Sequence, residues 1–319
     1  LFAGLLLLAE LAIVLYGSAL TGWQACFLPD TLRGKVSGWN NAANLGGGAF
    51  GAMIFLEMAE AIPLRTAGLV FACLCFLPVF LLPFMPTPGQ PGFEIQRVFT
   101  QTWRKVWESC RRRECLVGFA LFLSPASCAA AINLFSGLGK DFQTQPQRVI
   151  WVTGAGCAIT SALGSVLGGF LADRVHRGRL YLCAGIAASV CGLCMAFAAH
   201  TATTFTLGVL AYNASAGACY AAFSALGFQL VGKDNPVAST LLGLFAAMIN
   251  GAIVYMTWFD GVGYRFFGAT GLLCVDAGMS LLAAIPLFWL VRFALQPARP
   301  AFATQGKQLS IGESTMPSV

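Results

Sequence analysis

The chain has 319 residues, of which 57% are hydrophobic and only 10% charged, with a mean hydropathy of +0.74; an ordinary soluble domain carries roughly 25% charged residues. That balance excludes a soluble globular or disordered protein and leaves a polytopic, all-α membrane protein. The net charge of +6 does not call for nucleic acid, because basic residues in short loops are drawn to anionic lipid on one face of a bilayer.

In chain order, apolar runs near or above the ~20 residues a helix needs to cross a bilayer cover 1–27, 36–58, 67–84, 115–138, 149–172, 180–199, 205–231, 237–259 and 267–290. The sequence thus predicts about nine spans. Between the third and fourth, residues 83–91 are rich in Pro and Gly. Residues 94–113 then place Ile95, Val98, Phe99, Trp103, Val106 and Trp107 at helical spacing among basic residues. This is an amphipathic helix that either lies on the membrane surface or packs on the protein's own face. A tail at 296–319 is expected to be disordered and cytoplasmic.

Charge sets the orientation. Alternate loops put Arg33, Lys35, Arg97, Arg104, Lys105, Arg111, Arg112, Arg113, Arg174, Arg177, Arg179, Lys233, Arg292, Arg299 and Lys307 on one side. Arg65, Lys140, Arg148 and Arg265 fall on the other. A bias of fifteen to four makes the richer side cytoplasmic, with the first residue outside and the C-terminus inside the cell, in the plasma (inner) membrane. The odd number of spans and a leading Leu in place of Met suggest a chain that begins within a longer protein. The twelve cysteines are scattered through apolar runs. Cys191 and Cys194 have redox-pair spacing, but mid-span, with no second pair or His nearby, so small packing residues are expected and no metal or other cofactor.

Between two of these runs, residues 164–180 read as an apolar helix that stops at Asp173 and a burst of arginines. Gly169, Leu171, Ala172, Asp173 and Arg174, followed by Arg177 and Arg179, resemble the loop signature of the major facilitator superfamily, with His176 where the family usually has glycine. The resemblance implies the twelve-helix facilitator fold, with this turn between helices 8 and 9 and the spans here matching helices 4 to 12. Residues 1–84 would then be the last three helices of the N-terminal half, 85–114 the cytoplasmic linker, and 115–295 the C-terminal six-helix half. A weak internal repeat agrees: the segment from Tyr16 to Gly51 is echoed from Tyr212 to Gly251, about 200 residues later, as parallel halves require. Within the superfamily, the run from Gly22 through Trp23, Gln24, Leu28, Pro29, Arg33 and Gly34 to Gly48, together with Trp258, Asp260 and Gly261, is similar to muropeptide permeases of the AmpG type and their peptide/acetyl-coenzyme A transporter relatives.

Polar residues inside a bilayer are costly and tend to face a cavity or the bundle interior. The candidates are Trp23, Gln24, Asn40, Asn41, Asn44, Asn133, Tyr212, Asn213, Tyr220 and Asn250. Mapped on the facilitator fold, Gln24, Asn133, Tyr212 and Asn213 are the best solute contacts. Asn40 and Asn44 share a helix face and serve a ligand or an opposing helix. The glycines at 46, 47, 48, 51, 164 and 168 suit close helix packing at the seam between halves.

The family signature further implies that Asp173 sits against the N-terminus of the helix beginning near Gly34, where free N–H groups favour a carboxylate. With Arg33 and Arg174 it is either a gate or a static loop charge. Glu10 and Asp276 are the candidates for carrying a proton, although Asp276 falls on a peripheral helix of the family fold.

An enzyme is not expected: there are two histidines, no HExxH and no phosphate-binding glycine loop. The reading is a secondary transporter of a small polar solute, a monomer among lipids, working by alternating access and coupled to protons, with muropeptide-like solutes implied by the branch. A non-transporting sensor of the same fold is the alternative.

Overall fold

The computed structural model describes residues 2–84, 95–232, 235 and 237–294. The expected tail and the first part of the linker lie outside the described residues, as do Lys233, Arg299 and Lys307. Every element among the described residues is helical. Seven of the helices are long and apolar enough to cross a membrane.

α1 (Phe2–Phe27) and α2 (Arg33–Ala61) are followed by α3 (Leu64–Phe76), which tightens into a 3-10 stretch, Leu77–Phe84, carrying Pro83. α4 (Ile95–Cys110) is the amphipathic helix. It is seated on the protein through buried Val106 and Ser109, while Trp103 and Trp107 face outward. Arg111 stacks on Trp107, 5.1 Å from the ring centre.

The run at 115–138 is not one helix. α5 (Arg113–Leu123) stops, residues 124–129 are irregular, and a 3-10 turn (Ala130–Leu134) leads into a single turn, α6 (Phe135–Leu138). Pro125 is the cause: it has no N–H to give the helix and pushes Ser124 out of helical geometry. Ser127 and Ala129 then adopt left-handed φ of 66° and 54°.

Freed backbone groups at this depth must find partners inside the protein, and they do. The Tyr255 hydroxyl donates to Leu123 O (2.8 Å) and the Tyr181 hydroxyl to Ala126 O (3.2 Å), while the Ser280 hydroxyl accepts from Ser127 N (3.4 Å). The Ser127 hydroxyl itself donates to Tyr181 O at 2.8 Å.

α7 (Pro146–Trp151) runs through one π-turn (Val152–Gly156) into α8 (Cys157–Ala172). α9 (Arg177–Phe197) and α10 (Ala202–Val231) follow. The last two apolar runs belong to one hairpin, α11 (Ala238–Ala294), folded at Phe267 and Gly268. Gly268 has φ 59° and ψ −149°, a region open in practice only to glycine. The arms, 238–266 and 269–294, then pack back to back. Gly263 and Gly271 let the backbones touch, since a Cβ on Gly263 would lie 2.7 Å from Gly271 O.

α10 packs on α8 and α9, α11 packs on α9 and touches α10, and α2 lies against α8 and α10 while α1 rests on α11. Phe122 centres one core cluster, edge-on to Tyr181, Phe223 and Phe245 at 4.6 to 5.6 Å. α1 keeps Leu5, Leu7, Leu11, Ile13 and Leu15 exposed, an apolar surface suited to lipid or another helix and not to water.

The fold gathers the basic residues at one end. Arg33 and Lys35 begin α2, Arg177 and Arg179 begin α9, and Arg113, which begins α5, donates to Phe293 O at 3.4 Å. At the opposite end the Tyr264 hydroxyl donates to Asp141 at 3.0 Å, close to the hairpin fold.

Candidate functional site

α2 enters the bundle with no cap of its own. Leu32 precedes it and offers no side-chain oxygen, and its first turn has no acid, so its leading N–H groups need partners from elsewhere. Asp173, at the end of α8, supplies them. Its Oδ1 accepts from Gly34 N (2.7 Å) and its Oδ2 from Lys35 N (2.9 Å). This is the contact expected from the loop signature, and it joins α2 to the end of α8.

Bare backbones make the contact possible. A Cβ on Gly38 would stand 2.8 Å from Ser165 O and 2.9 Å from Gly169 Cα, and one on Gly169 would stand 2.6 Å from Gly34 O. The seam therefore runs through Gly34, Gly38 and Gly169. Of the glycines expected there, Gly46 approaches Ala162, and Gly47 and Gly48 have nothing within 4 Å. Gly164 and Gly168 turn the other way, onto Ala214 and Ala218 of α10. They serve the packing of α8 on α10, because α8 is small-faced on two sides.

A second contact of opposite sign accompanies the first. Arg33, 2% exposed, donates through Nη1 to Phe228 O (2.7 Å) in the last turn of α10, where the helix dipole favours a cation. Its Nε is 3.1 Å from Asp30 Oδ1, a close ion pair without hydrogen-bond alignment, and Nη2 has no partner among the described residues. Each side of the seam thus places a charge on a helix end belonging to the other.

Arg177 completes the cluster, with Nη2 3.6 Å from Asp173 Oδ1 and donating to Asp30 O at 2.8 Å. Arg174, expected as a gating partner, points outward instead. The turn Asp173–His176 sends it away from α2 and brings Arg177, one helical turn on, over the carboxylate. The sequence signal for Arg177 was its place at the basic end of the motif.

The polar candidates for solute contact divide by what already holds them. Tyr212 and Asn213 are closed among α8, α10 and α11. The Tyr212 hydroxyl donates to Asp276 Oδ2 (2.8 Å); Asn213 donates to Val209 O (2.9 Å) and accepts from the Ser161 hydroxyl (3.3 Å). Asn41 bridges the seam, donating to the Ser224 hydroxyl (2.9 Å) and to Ser37 O (2.8 Å).

Gln24 is buried, and Trp23 rests on Phe27 with ring centres 5.3 Å apart. Asn40 is half-buried, while Asn44, Asn133 and Asn250 are exposed. A groove of about 400 Å³ between α9 and the second arm of α11, lined by Ile186, Leu281, Ala284, Ile285, Phe288 and Trp289, is mostly apolar and shares no residue with these candidates; it suits a lipid chain and not a polar solute.

Of the acids, Glu10 is exposed on α1. Asp276 is 2% exposed, placed inward by the hairpin in spite of the peripheral helix on which it was expected. Asp260, fully buried on the first arm, was not singled out as an acid because the apolar run was read as ending at Phe259; the helix in fact continues through it to the fold at Phe267.

Among the described residues no cluster of three His, Cys, Asp or Glu side chains could hold a metal. A comparison with curated proteins found no match. The sequence pattern of the Major Facilitator Superfamily matches residues 117–314, more than half of the chain and including the α8–α9 turn that carries Asp173. By that match, by its all-helical fold and by its membrane-length helices, the chain belongs to the major facilitator superfamily, a family of membrane transporters.

Proposed function

We propose that the protein moves a small polar solute across the plasma (inner) membrane by alternating access, and that the Asp173–α2 and Arg33–α10 contacts are the latch closing its cytoplasmic end. The observation that carries this reading is the exchange of charged side chains onto helix ends across the seam. Such a contact is satisfied in one arrangement of the halves and broken in the other, which is what a two-state carrier requires.

In this reading the basic end faces the cytoplasm. Gln24, Asn40, Asn44, Asn133 and Asn250 are the solute contacts, because their polar atoms are less committed than those of Tyr212 and Asn213, and Trp23, next to Gln24 in α1, joins them. An amide-rich set with few fixed charges favours a neutral or weakly charged sugar- or peptide-bearing solute, of which a muropeptide is the best motivated by the resemblance of residues 22–48. The chain is no enzyme, binds no nucleic acid and works as a monomer.

The test is uptake of labelled anhydromuropeptide by vesicles containing the protein, with and without a proton uncoupler. Saturable uptake abolished by the uncoupler and weakened by Asp173→Ala is expected. Binding without flux would point to a sensor and overturn the carrier reading; neither binding nor flux, in inserted protein, would discard the solute.

A further inference from the structure

The hairpin of α11 buries a group of polar side chains that the latch and the solute contacts do not use. Asp260 on the first arm is 0% exposed, and neither of its carboxyl oxygens accepts a hydrogen bond from a described residue. One turn earlier, Thr257 Oγ1 is also buried and unpartnered. Three buried oxygens therefore lie within one turn of helix with no hydrogen-bond donor among the described residues.

Across the hairpin, Asp276 bears on Asp260 electrostatically, as expected if Gly263 opposes Gly271 and the positions before and after them face each other. Asp276 is compensated: it accepts from the Tyr212 hydroxyl at 2.8 Å and from the Ala131 amide beyond the break in the 115–138 run. Cys128, in that break, lies close enough to feel both carboxyls. The surrounding wall of Cys128, Ala130, Ala252 and Met256 is apolar. Among the described residues no Lys, Arg or His is among the groups acting on either acid: Tyr212 from α10 and the Ala131 amide act on Asp276, and Asp276 acts on Asp260.

An ionised carboxylate buried without donor or counter-charge is strongly unfavourable. Here Asp276 has donors and Asp260 has none among the described residues, and no cation acts on either, so Asp260 lacks any compensation for a negative charge. The ligands of the group are all oxygen, the chemistry of a hard cation, and they sit beside an interrupted helix, where carriers place coupling ions.

We propose that Thr257, Asp260 and Asp276 hold a single monovalent cation, either a proton on Asp260 or a sodium ion between the two carboxyls and the Thr257 hydroxyl. The site lies within one half of the fold, apart from the seam. The use of the ion in coupling rests on the carrier reading, but its binding does not, and it is measured without flux.

The experiment is thermal unfolding of the purified full chain in detergent, titrated with NaCl against choline chloride at constant ionic strength, and separately from pH 8 to pH 5 without sodium. A sodium site gives a saturable rise in midpoint of roughly 4 °C, absent in Asp260→Asn and reduced in Thr257→Val. A proton site gives a comparable rise on acidification, absent in Asp260→Asn and kept in Thr257→Val, since the hydroxyl is needed only to ligate a metal ion. Glu10→Gln, on the exposed face of α1, responds as the parent in both arms. Equal responses of the parent and Asp260→Asn in both arms overturn the proposal. Should Asp260→Asn not fold, Asp276→Asn is read by the same criterion.

Discussion

Removing the Asp173 carboxylate is the sharpest perturbation of the latch. Asp173→Ala deletes two charge-assisted hydrogen bonds, to Gly34 N and Lys35 N, each worth about 1.5–3 kcal/mol when buried. The Lys35 side of the contact is open to solvent, so water recovers part of its share. The arrangement closed at the basic end should therefore lose about 2–4 kcal/mol, a roughly 30- to 700-fold fall in its weight relative to the open one.

Amide hydrogen exchange reports this directly, because Gly34 and Lys35 are protected only while the contact is made. Peptides covering 33–38 should exchange faster by about one and a half to nearly three orders of magnitude in Asp173→Ala. They should exchange faster by about half as much on a logarithmic scale in Asp173→Asn, which keeps one acceptor and loses the charge. Arg174→Ala, a change at an exposed neighbour, should leave them untouched. Parent-like exchange of 33–38 in Asp173→Ala would refute the assignment of the cap.

Gly38→Ala should separate α2 from α8, since its Cβ meets backbone atoms of Ser165 and Gly169 that cannot rotate aside; crosslinking between cysteines placed at Asn41 and Ser224 should fall several-fold. Gly48→Ala, with nothing within 4 Å, should leave crosslinking as in the parent. Gly268→Ala should cost about 1–3 kcal/mol, lowering the unfolding midpoint by roughly 3–8 °C, whereas Gly278→Ala, in open space inside a helix, should not lower it. Fluorescence from Trp103 and Trp107, isolated by replacing the other tryptophans with Phe, should be quenched by brominated lipid if α4 lies on the bilayer; quenching no stronger than in detergent alone would leave α4 a helix bound only to the protein.

The membrane class, the helical content and the contact of Asp173 with the start of α2 were legible because each follows from a local pattern: apolar length, charge between runs, and a loop motif. What escaped was decided by pairs distant in sequence. Pro125 marks the break in the 115–138 run, yet the break persists only because Tyr181, Tyr255 and Ser280 supply partners from α9 and α11. Asp260 looked like a loop residue because an acid ending an apolar run ordinarily is one; only the hairpin, with Gly263 against Gly271, turns it inward. Gly164 and Gly168 read correctly as close-packing residues, but their spacing could not say which neighbour they pack against.

The bareness of Leu32 has a meaning beyond the missing hydrogen bond. Asp, Ser or Thr at that position would stabilise α2 by about 0.5–2 kcal/mol, and by the ordinary standard of helix design it is the obvious improvement. It would also satisfy the helix start whichever way the halves are disposed, so that Asp173 would have less left to supply and the closed arrangement less advantage over the open one. In the proposed latch, a poor residue for the stability of the helix is thus a good one for its responsiveness: with α2 left locally unfinished, its completeness would report on the position of α8.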